Sequence, residues 1–261
     1  MFTQKSALAM ESPSSRRYSW CVPREFPARL GPAVHVWAVP LDVPDATVEE
    51  ALGVLSLEER RQAERLRTGE LRRRFVVRRA RLRGLLARYL DASPQAIRFE
   101  RGAYGKPALA SPWSDSGLQF SASHSTDLGL VAVARDIALG VDIERIRPLA
   151  DFEALVRRFF AASENDALHR LPEPERLEAF FRGWARKEAV LKALGTGLSL
   201  GLDRVVVSLT PGDPQVLALE GMPESSPRWY LDELRPDAGF SAALARPEGE
   251  RRVECFCCQA S

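Results

Sequence analysis

The sequence has no long apolar run and no recognisable targeting segment. Among its 261 residues, no stretch approaches the roughly 18 consecutive apolar residues that a membrane span requires. Residues 1–30 are polar and rich in Pro and Ser, and they lack the apolar centre of a signal peptide. We therefore expect a cytoplasmic protein without a membrane partner. We also expect a monomer.

Cysteine is scarce, with four residues in the chain. Cys21 is isolated, whereas Cys255, Cys257 and Cys258 crowd together without a neighbouring histidine. A structural zinc site requires four ligands at regular spacing. The pattern therefore does not predict a zinc site, and we interpret this segment as an irregular terminus.

Lysine is also scarce, because only four lysines stand against 33 arginines. Three of the four, Lys106, Lys187 and Lys192, lie in segments that look like motifs. A chain that uses arginine for nearly every other cation has kept lysine there, which indicates a need for a compact ammonium group. The role of Lys187 stays open, because it lies on a different helix face from Glu188.

Positive charge is concentrated in one segment, although the formal net charge is only +2. Fourteen arginines lie between Arg60 and Arg101, against four acidic residues. Such a basic segment implies an anionic partner: a nucleic acid, a membrane surface or a polyphosphate. Arg79 and Arg83 are four apart on a predicted helix, a spacing that suits a phosphate clamp. Aromatic residues that could stack on bases are sparse there, so we expect no nucleic-acid partner.

Residue periodicity predicts an α+β fold. Alternation over residues 34–39 indicates a strand, and helical patterns cover about 71–90 and 174–194. The apolar positions of the two helices repeat 106 residues apart, as Leu71 and Leu177, Phe75 and Phe181, and Leu85 and Leu191. We therefore predict two pseudo-symmetric lobes, each a small, mainly antiparallel sheet packed against a long helix. A site shared by the lobes would lie in the cleft between them.

The predicted organisation has four parts. They are a flexible leader at 1–30, an N-terminal lobe at 31–138, a C-terminal lobe at 139–250 and a tail at 251–261. Near the junction, a turn around Arg135-Asp136 separates the apolar segments 129–134 and 139–144. We predict that these two segments pair as a hairpin.

Asp142 and Glu144 lie two residues apart on a predicted strand, so both side chains leave the same face. Val141 and Ile143 then face the core. Two adjacent carboxylates repel each other unless a cation joins them, and Mg²⁺ prefers oxygen ligands and substrate phosphates. The alternative for these two residues alone is a pair of solvated acids on an edge strand.

Glu188 and Lys192 lie four residues apart on the second long helix and share a face with Trp184. An ordinary surface ion pair would explain the spacing. The tryptophan, however, implies partial burial, and Gly195 and Gly197 directly after the helix allow close approach of a backbone. Function and structure therefore both stay open for this pair.

Further candidates for binding an anion lie in the N-terminal lobe. Lys106 lies in a turn rich in Gly and Pro, five residues after Arg101. Ser123 and His124 lie at the predicted start of a strand. A histidine flanked by serines can donate a hydrogen bond to a phosphate oxygen without carrying a full charge.

Together, these segments resemble the Sfp-type 4′-phosphopantetheinyl transferases. Residues 140–144 are similar to that family's G-(V/I)-D-(I/V)-E motif, and residues 184–197 match its W-x-x-K-E-A-x-x-K-x-x-G-x-G motif at every defining position. Residues 105–107 resemble its G-K-P turn, residues 120–125 its F-(N/S)-x-S-H-(S/T) segment, and residues 74–83 its basic helix in outline. The likeness covers nearly the whole chain.

The resemblance implies transfer of the 4′-phosphopantetheine arm from coenzyme A to a serine of an apo acyl or peptidyl carrier protein. Adenosine 3′,5′-bisphosphate would be released, and the carrier would serve polyketide, nonribosomal peptide or fatty acid synthesis. The resemblance also implies Mg²⁺, with Mn²⁺ as a substitute, held by Asp142, Glu144 and Glu188 against the diphosphate.

For the remaining residues the resemblance implies contacts with coenzyme A. Lys192 would bind the diphosphate, and His124 would donate to the diphosphate or stabilise the leaving group. Residues that would bind the 3′-phosphate and nucleotide are Arg79, Arg101, Lys106 and Ser123. Glu188 is the preferred general base for the carrier serine, with Glu144 as the other candidate.

Two points stay open in the sequence. The family usually has small or apolar residues where this chain has Arg78 and Arg81, so the arginine that meets the 3′-phosphate is not fixed. The same acids and cations would also suit a Mg²⁺-dependent nucleotide phosphohydrolase, which would need a positioned water instead of a carrier protein.

Overall fold

The computed structural model describes residues 18–102, 104–195, 200–221, 227–249 and 251–259. Residues 1–17 of the leader and Gly197 of the glycine pair lie outside these ranges. The described residues form two lobes, each with a sheet and one long helix, which confirms the predicted α+β class. Within these ranges, no helix is long and apolar enough to cross a bilayer.

Up to residue 135, the described part of the first lobe contains nine strands and helices, beginning with a short strand in the leader region. In chain order they are β1 (Trp20–Cys21), β2 (Ala33–Pro40), α1 (Asp45–Val54), α2 (Leu57–Glu64), α3 (Gly69–Leu90), β3 (Phe99–Arg101), β4 (Pro107–Leu109), β5 (Leu118–Ser125) and β6 (Leu128–Arg135), with a 3₁₀ turn at Pro94–Ala96 before β3.

One more strand, β12 (Arg252–Cys257), joins the first lobe from beyond the second one. The second lobe lies between β6 and β12 in the chain. Its elements are β7 (Gly140–Arg145), α4 (Phe152–Phe159), α5 (Ala162–Arg170), α6 (Glu173–Leu194), β8 (Val205–Val207), β9 (Val216–Leu219), β10 (Trp229–Leu234) and β11 (Phe240–Pro247).

The long helices α3 and α6 have the same length, 22 residues, and end in the same way. The Thr68 side chain accepts a hydrogen bond from the Leu71 N–H and so caps the start of α3. Asp91 after α3 and Gly195 after α6 both adopt the left-handed conformation that stops a helix. This shared pattern supports the predicted similarity of the two lobes.

The two main sheets pack face to face between the long helices. The strand orders are β1-β12-β2-β6-β5 in the first lobe and β10-β11-β7 in the second. Val36, Leu130, Val141 and Leu244 belong to one apolar cluster between the sheets. The outer faces pack on α3 and α6, so the molecule has four layers, helix–sheet–sheet–helix.

The end of the chain differs from the irregular tail that we expected. Strand β12 runs parallel to both neighbours, with Cys255 opposite Trp20 of β1 and Val36 of β2. Val253, Cys255 and Phe256 are buried. The cysteine acts here as a small apolar side chain in a strand that is covered on both faces.

The predicted hairpin of segments 129–134 and 139–144 is wrong. Strand β6 pairs with β5 across the two-residue loop Thr126-Asp127, whereas β7 pairs with β11 of the second lobe. Alternation along a segment predicts a strand but does not indicate the strand with which it pairs. The shorter loop, in which Thr126 has a positive φ of 52°, forms the hairpin instead.

Candidate active site

Strand β7 presents its two carboxylates towards α6. Val141 and Ile143 are buried between the sheets, as predicted, so the alternate residues Asp142 and Glu144 leave the opposite face. Asp142 is itself buried. Its Oδ1 accepts hydrogen bonds from Lys192 Nζ at 2.6 Å and from the Ser123 hydroxyl at 2.7 Å.

The first glycine of the β7 motif allows α6 to approach this strand closely. A Cβ atom at Gly140 would lie 2.0 Å from the carbonyl oxygen of Ala189 and 2.4 Å from the backbone nitrogen of Ala193. Because both are backbone atoms, no side chain rotation could relieve the clash. The glycine therefore sets the helix–strand distance that brings Lys192 onto Asp142 and Glu188 close to it.

Negative charge exceeds positive charge among these side chains. Burial, followed by the charge of Asp142, raises the pKa of Glu144 to about 7. Burial and the same Asp142 charge also raise the pKa of Glu188. Lys192 opposes both shifts without cancelling them. A further cation would therefore be stabilised here.

The donor set fits a hard divalent cation. Oδ2 of Asp142 is buried and has no hydrogen-bond partner, which is a costly arrangement for a carboxylate oxygen. Glu144 and Glu188 supply further oxygens, and Mg²⁺ takes its remaining ligands from water and phosphates. Within the described ranges, no three His, Cys, Asp or Glu side chains are already gathered at metal-binding spacing. Lys192 is the cation that contacts Asp142 in this structure.

Serine hydroxyls join β5 to β7 where the two lobes meet. These neighbouring strands belong to different sheets and share no backbone ladder over their described lengths. Instead, Ser121 Oγ accepts a hydrogen bond from the Val141 N–H at 3.0 Å. Ser125 Oγ accepts from the Arg145 N–H at 3.0 Å and donates to Glu144 Oε2 at 3.1 Å. The serines therefore set the register between the lobes at the height of the carboxylates.

His124 lies near the end of β5, not at the start of a strand as we expected, and it contacts an arginine that the sequence left unassigned. Its Nδ1 lies 3.1 Å from Nη1 of Arg78. Desolvation, with the positive charges of Arg78 and Lys192, lowers the pKa of His124 to about 4, so the ring is neutral at pH 7. It can then donate a hydrogen bond without adding charge.

Arg78 is one of the two arginines that left the 3′-phosphate contact open in the sequence. Burial lowers its pKa to about 10, which still leaves it charged at neutral pH. Its Nε has no hydrogen-bond partner, and it forms no salt bridge within the described residues. The signal in the sequence was an arginine at a position where the family that the motifs resemble usually has a small or apolar residue.

Arg79 and Arg83 bind a carboxylate of their own lobe. Arg79 Nε lies 2.8 Å from Oε1 of Glu59, and Arg83 Nε lies 2.8 Å from its Oε2. Burial raises the pKa of Glu59, but the Ser56 N–H and the two guanidinium groups outweigh it and hold that pKa below its ordinary value. The clamp that we predicted for phosphate is used for Glu59 in this structure, and an Arg79 contact with coenzyme A stays a prediction.

Lys106 lies at the junction of the lobes. Its Nζ donates to the carbonyl oxygen of Leu139 at 3.0 Å, and its side chain lies next to Gly195 at the end of α6. Burial lowers the pKa of Lys106 to about 8. Arg101 lies nearby in sequence at the end of β3, opposite Pro107, and is exposed.

Lys187 points away from the carboxylates and is fully buried. Its Nζ donates to Glu164 Oε2 at 2.5 Å and to the carbonyl oxygens of Leu202 and Val205 at 3.0 and 2.6 Å. The role that the sequence left open is therefore structural in this geometry: Lys187 joins α6 to α5, to Leu202 shortly before β8 and to Val205 at the start of β8.

Comparison with known proteins agrees with this geometry. A model of the 4′-phosphopantetheinyl transferase superfamily matches residues 138–245, and a model of the N-terminal part of a 4′-phosphopantetheinyl transferase matches residues 44–136. The chain belongs to the 4′-phosphopantetheinyl transferase family, which confirms the resemblance seen in its motifs.

Individual relatives cover most of the chain. It is 39% identical over 216 residues to 4′-phosphopantetheinyl transferase HetI of Nostoc sp., a match that spans 83% of this chain and 88% of that protein. It is 30% identical over 224 residues to 4′-phosphopantetheinyl transferase psf-1 of Bacillus pumilus, spanning 84% and 92%. It is also 29% identical over 196 residues to 4′-phosphopantetheinyl transferase Sfp of Bacillus subtilis, spanning 75% and 84%.

Proposed function

We propose that the protein transfers 4′-phosphopantetheine from coenzyme A to the serine hydroxyl of an apo carrier protein and releases adenosine 3′,5′-bisphosphate. The observation that carries the proposal is the buried, unpartnered oxygen of Asp142 beside two further carboxylates and one ammonium group. Breaking a diphosphate bond develops negative charge. A metal held by these acids would stabilise that charge, and so would the ammonium group beside it. The names of the relatives HetI, psf-1 and Sfp support the same reaction.

Asp142, Glu144 and Glu188 are the residues that would hold Mg²⁺, or Mn²⁺ in its place. When bound, the metal would neutralise charge on the diphosphate of coenzyme A. Lys192, which here balances Asp142, would bind diphosphate oxygens beside it. His124 would donate a hydrogen bond to the same group from its neutral ring.

Glu188 is our choice for the base that takes the proton from the carrier serine. Its pKa is raised by burial, which strengthens it as a proton acceptor. Glu144 also has a raised pKa, but one of its oxygens already accepts a hydrogen bond from Ser125. Glu188 forms no hydrogen bond with its side chain among the described residues, so both of its oxygens remain available.

Coenzyme A would lie in the cleft between the lobes. Its nucleotide and 3′-phosphate would meet the basic and polar residues of the first lobe, namely Arg78, Arg79, Arg101, Lys106 and Ser123. Of the helix α3 arginines, Arg78 is better placed for this contact than Arg79, because Glu59 already binds Arg79. We propose a cytoplasmic monomer that serves carrier proteins of polyketide, nonribosomal peptide or fatty acid synthesis.

Mass spectrometry of apo carriers tests the reaction. The purified protein is incubated with coenzyme A, Mg²⁺ and a panel of acyl and peptidyl carriers, alongside carriers whose acceptor serine is replaced by alanine. We expect the mass of one phosphopantetheine arm on the intact carriers and an equal amount of adenosine bisphosphate. Release of the bisphosphate without modification of any carrier would instead establish a phosphohydrolase.

A further inference from the structure

We propose that Ser125 is a positioning residue for Glu144, and that its hydroxyl couples the register of the two lobes to the geometry of the carboxylate. The inference rests on the proposed function, because it gives Glu144 a role in holding the metal. It adds a residue of the first lobe that has no direct part in the chemistry.

The carboxylates lie at the edge of the second lobe, where no backbone ladder reaches across to β5. Their position relative to His124 and Lys106 of the first lobe therefore depends on side-chain contacts across this boundary. Ser121 and Ser125 both supply such contacts, and each accepts a backbone N–H of β7 at 3.0 Å. The two hydroxyls are equivalent in this respect.

They differ in what else they bind. Ser125 uses its own proton to reach Oε2 of Glu144 at 3.1 Å, whereas Ser121 lies beside Val141, which has no polar side chain. One hydroxyl of Ser125 therefore holds both the backbone and the carboxylate of β7. Glu144 is only half-buried, so without this bond its side chain would be free to take other rotamers.

Removing a hydrogen bond that orients a metal ligand typically lowers metal affinity or activity by about 10- to 100-fold. Ser125→Ala should lower kcat for transfer, and weaken Mn²⁺ binding, by about this factor. The KM for coenzyme A should change much less, because the basic residues of the first lobe are untouched. Ser125→Thr keeps the hydroxyl in a residue that suits a strand, and should restore most of both properties.

Ser121→Ala is the matched control. It also leaves one N–H of β7 without its acceptor, so it loosens the boundary between the lobes to a similar degree, but it removes nothing from a carboxylate. We expect it to lower the melting temperature as Ser125→Ala does, while its kcat and Mn²⁺ affinity stay within about 2-fold of those of the unmodified protein, well short of the loss expected for a ligand-orienting bond.

The experiment measures kcat and KM with an apo carrier and, separately, Mn²⁺ binding by electron paramagnetic resonance, on all three variants. The proposal is supported if Ser125→Ala lowers kcat and Mn²⁺ affinity, Ser125→Thr restores most of both, and Ser121→Ala retains both. Wild-type values in Ser125→Ala, or an equal loss in Ser121→Ala, overturn it. If the unmodified protein transfers nothing, the proposed function fails, and the Mn²⁺ comparison alone still decides whether Ser125 holds the carboxylate.

Discussion

Replacing Lys187 by methionine should destabilise the second lobe strongly without removing any group from the site. The Lys187 side chain is 0% exposed, and its ammonium donates to one carboxylate oxygen and two carbonyl oxygens. Methionine fills a similar volume but donates nothing. Glu164, whose side chain is 2% exposed, would then keep a buried charge without its cation.

The expected loss can be worked out from these contacts. Removing one partner of a buried ion pair costs about 3–5 kcal/mol. The lost hydrogen bond to the Val205 carbonyl adds about 1 kcal/mol, whereas the Leu202 carbonyl still accepts a hydrogen bond from the Val205 N–H. Glu164 would keep hydrogen bonds from the Ala161 and Val207 N–H groups at 2.8 and 2.9 Å, which limits the cost. We expect a loss of about 4 kcal/mol, a large part of the roughly 5–15 kcal/mol that stabilises a typical protein.

Urea unfolding followed by tryptophan fluorescence measures this loss. The double variant Lys187→Met, Glu164→Gln is the control, because it also removes the stranded charge and should recover part of the stability. A Lys187→Met protein as stable as the parent would refute the reasoning. If that stable protein also lost transfer activity, Lys187 would have to act at the site, contrary to the geometry.

Three further predictions concern other contacts. Gly140→Ala should lower the free energy of unfolding by about 1–3 kcal/mol, and with it the melting temperature, and should displace α6 from β7, because Ala189 blocks the added methyl group. An unchanged melting curve with full activity would contradict this prediction. Asp142→Asn should abolish Mn²⁺ binding and transfer while circular dichroism stays unchanged, because it removes charge but keeps shape; retained binding would exclude Asp142 as a ligand. Glu59 has a folded-state pKa below the ordinary 4.5, so the stability that it contributes is complete above pH 4.5 and is lost as the pH falls through the lower value. Glu59→Gln should flatten this acid dependence in urea titrations, and parallel curves for the two proteins would show that the Arg79 and Arg83 contacts do not cause it.

The sequence could predict those parts of the site whose residues all lie within one short segment. The spacing of Asp142 and Glu144 fixes their common face on β7, and the spacing of Glu188 and Lys192 fixes theirs on α6, because strands and helices have regular periods. Which segments meet is a different question. The motifs answered it only by resemblance to a family.

The features that sequence reasoning missed depend on pairing between distant segments. The arginine spacing on α3 suited phosphate and carboxylate equally well, so nothing local revealed that Glu59 occupies Arg79 and Arg83. Lys187 was predicted to lie on a different helix face from Glu188, because one residue along a helix turns a side chain by about 100°. Nothing local revealed that this face packs into the core and meets Glu164. Strand β12 was missed because nothing in its own residues indicates the strands with which it pairs, so the segment was interpreted as an irregular terminus.

The placement of β12 has a consequence for how the molecule is made. Val36 and Cys255 lie opposite each other in neighbouring strands, 219 positions apart in the chain. During synthesis the sheet of the first lobe stays incomplete, with one edge of β2 unpaired, until the whole second lobe has left the ribosome. Pairing over such a separation is slow. Despite their separate helices and cores, the two halves therefore mature as one cooperative unit, and the strand that arrives latest closes the half that was made first.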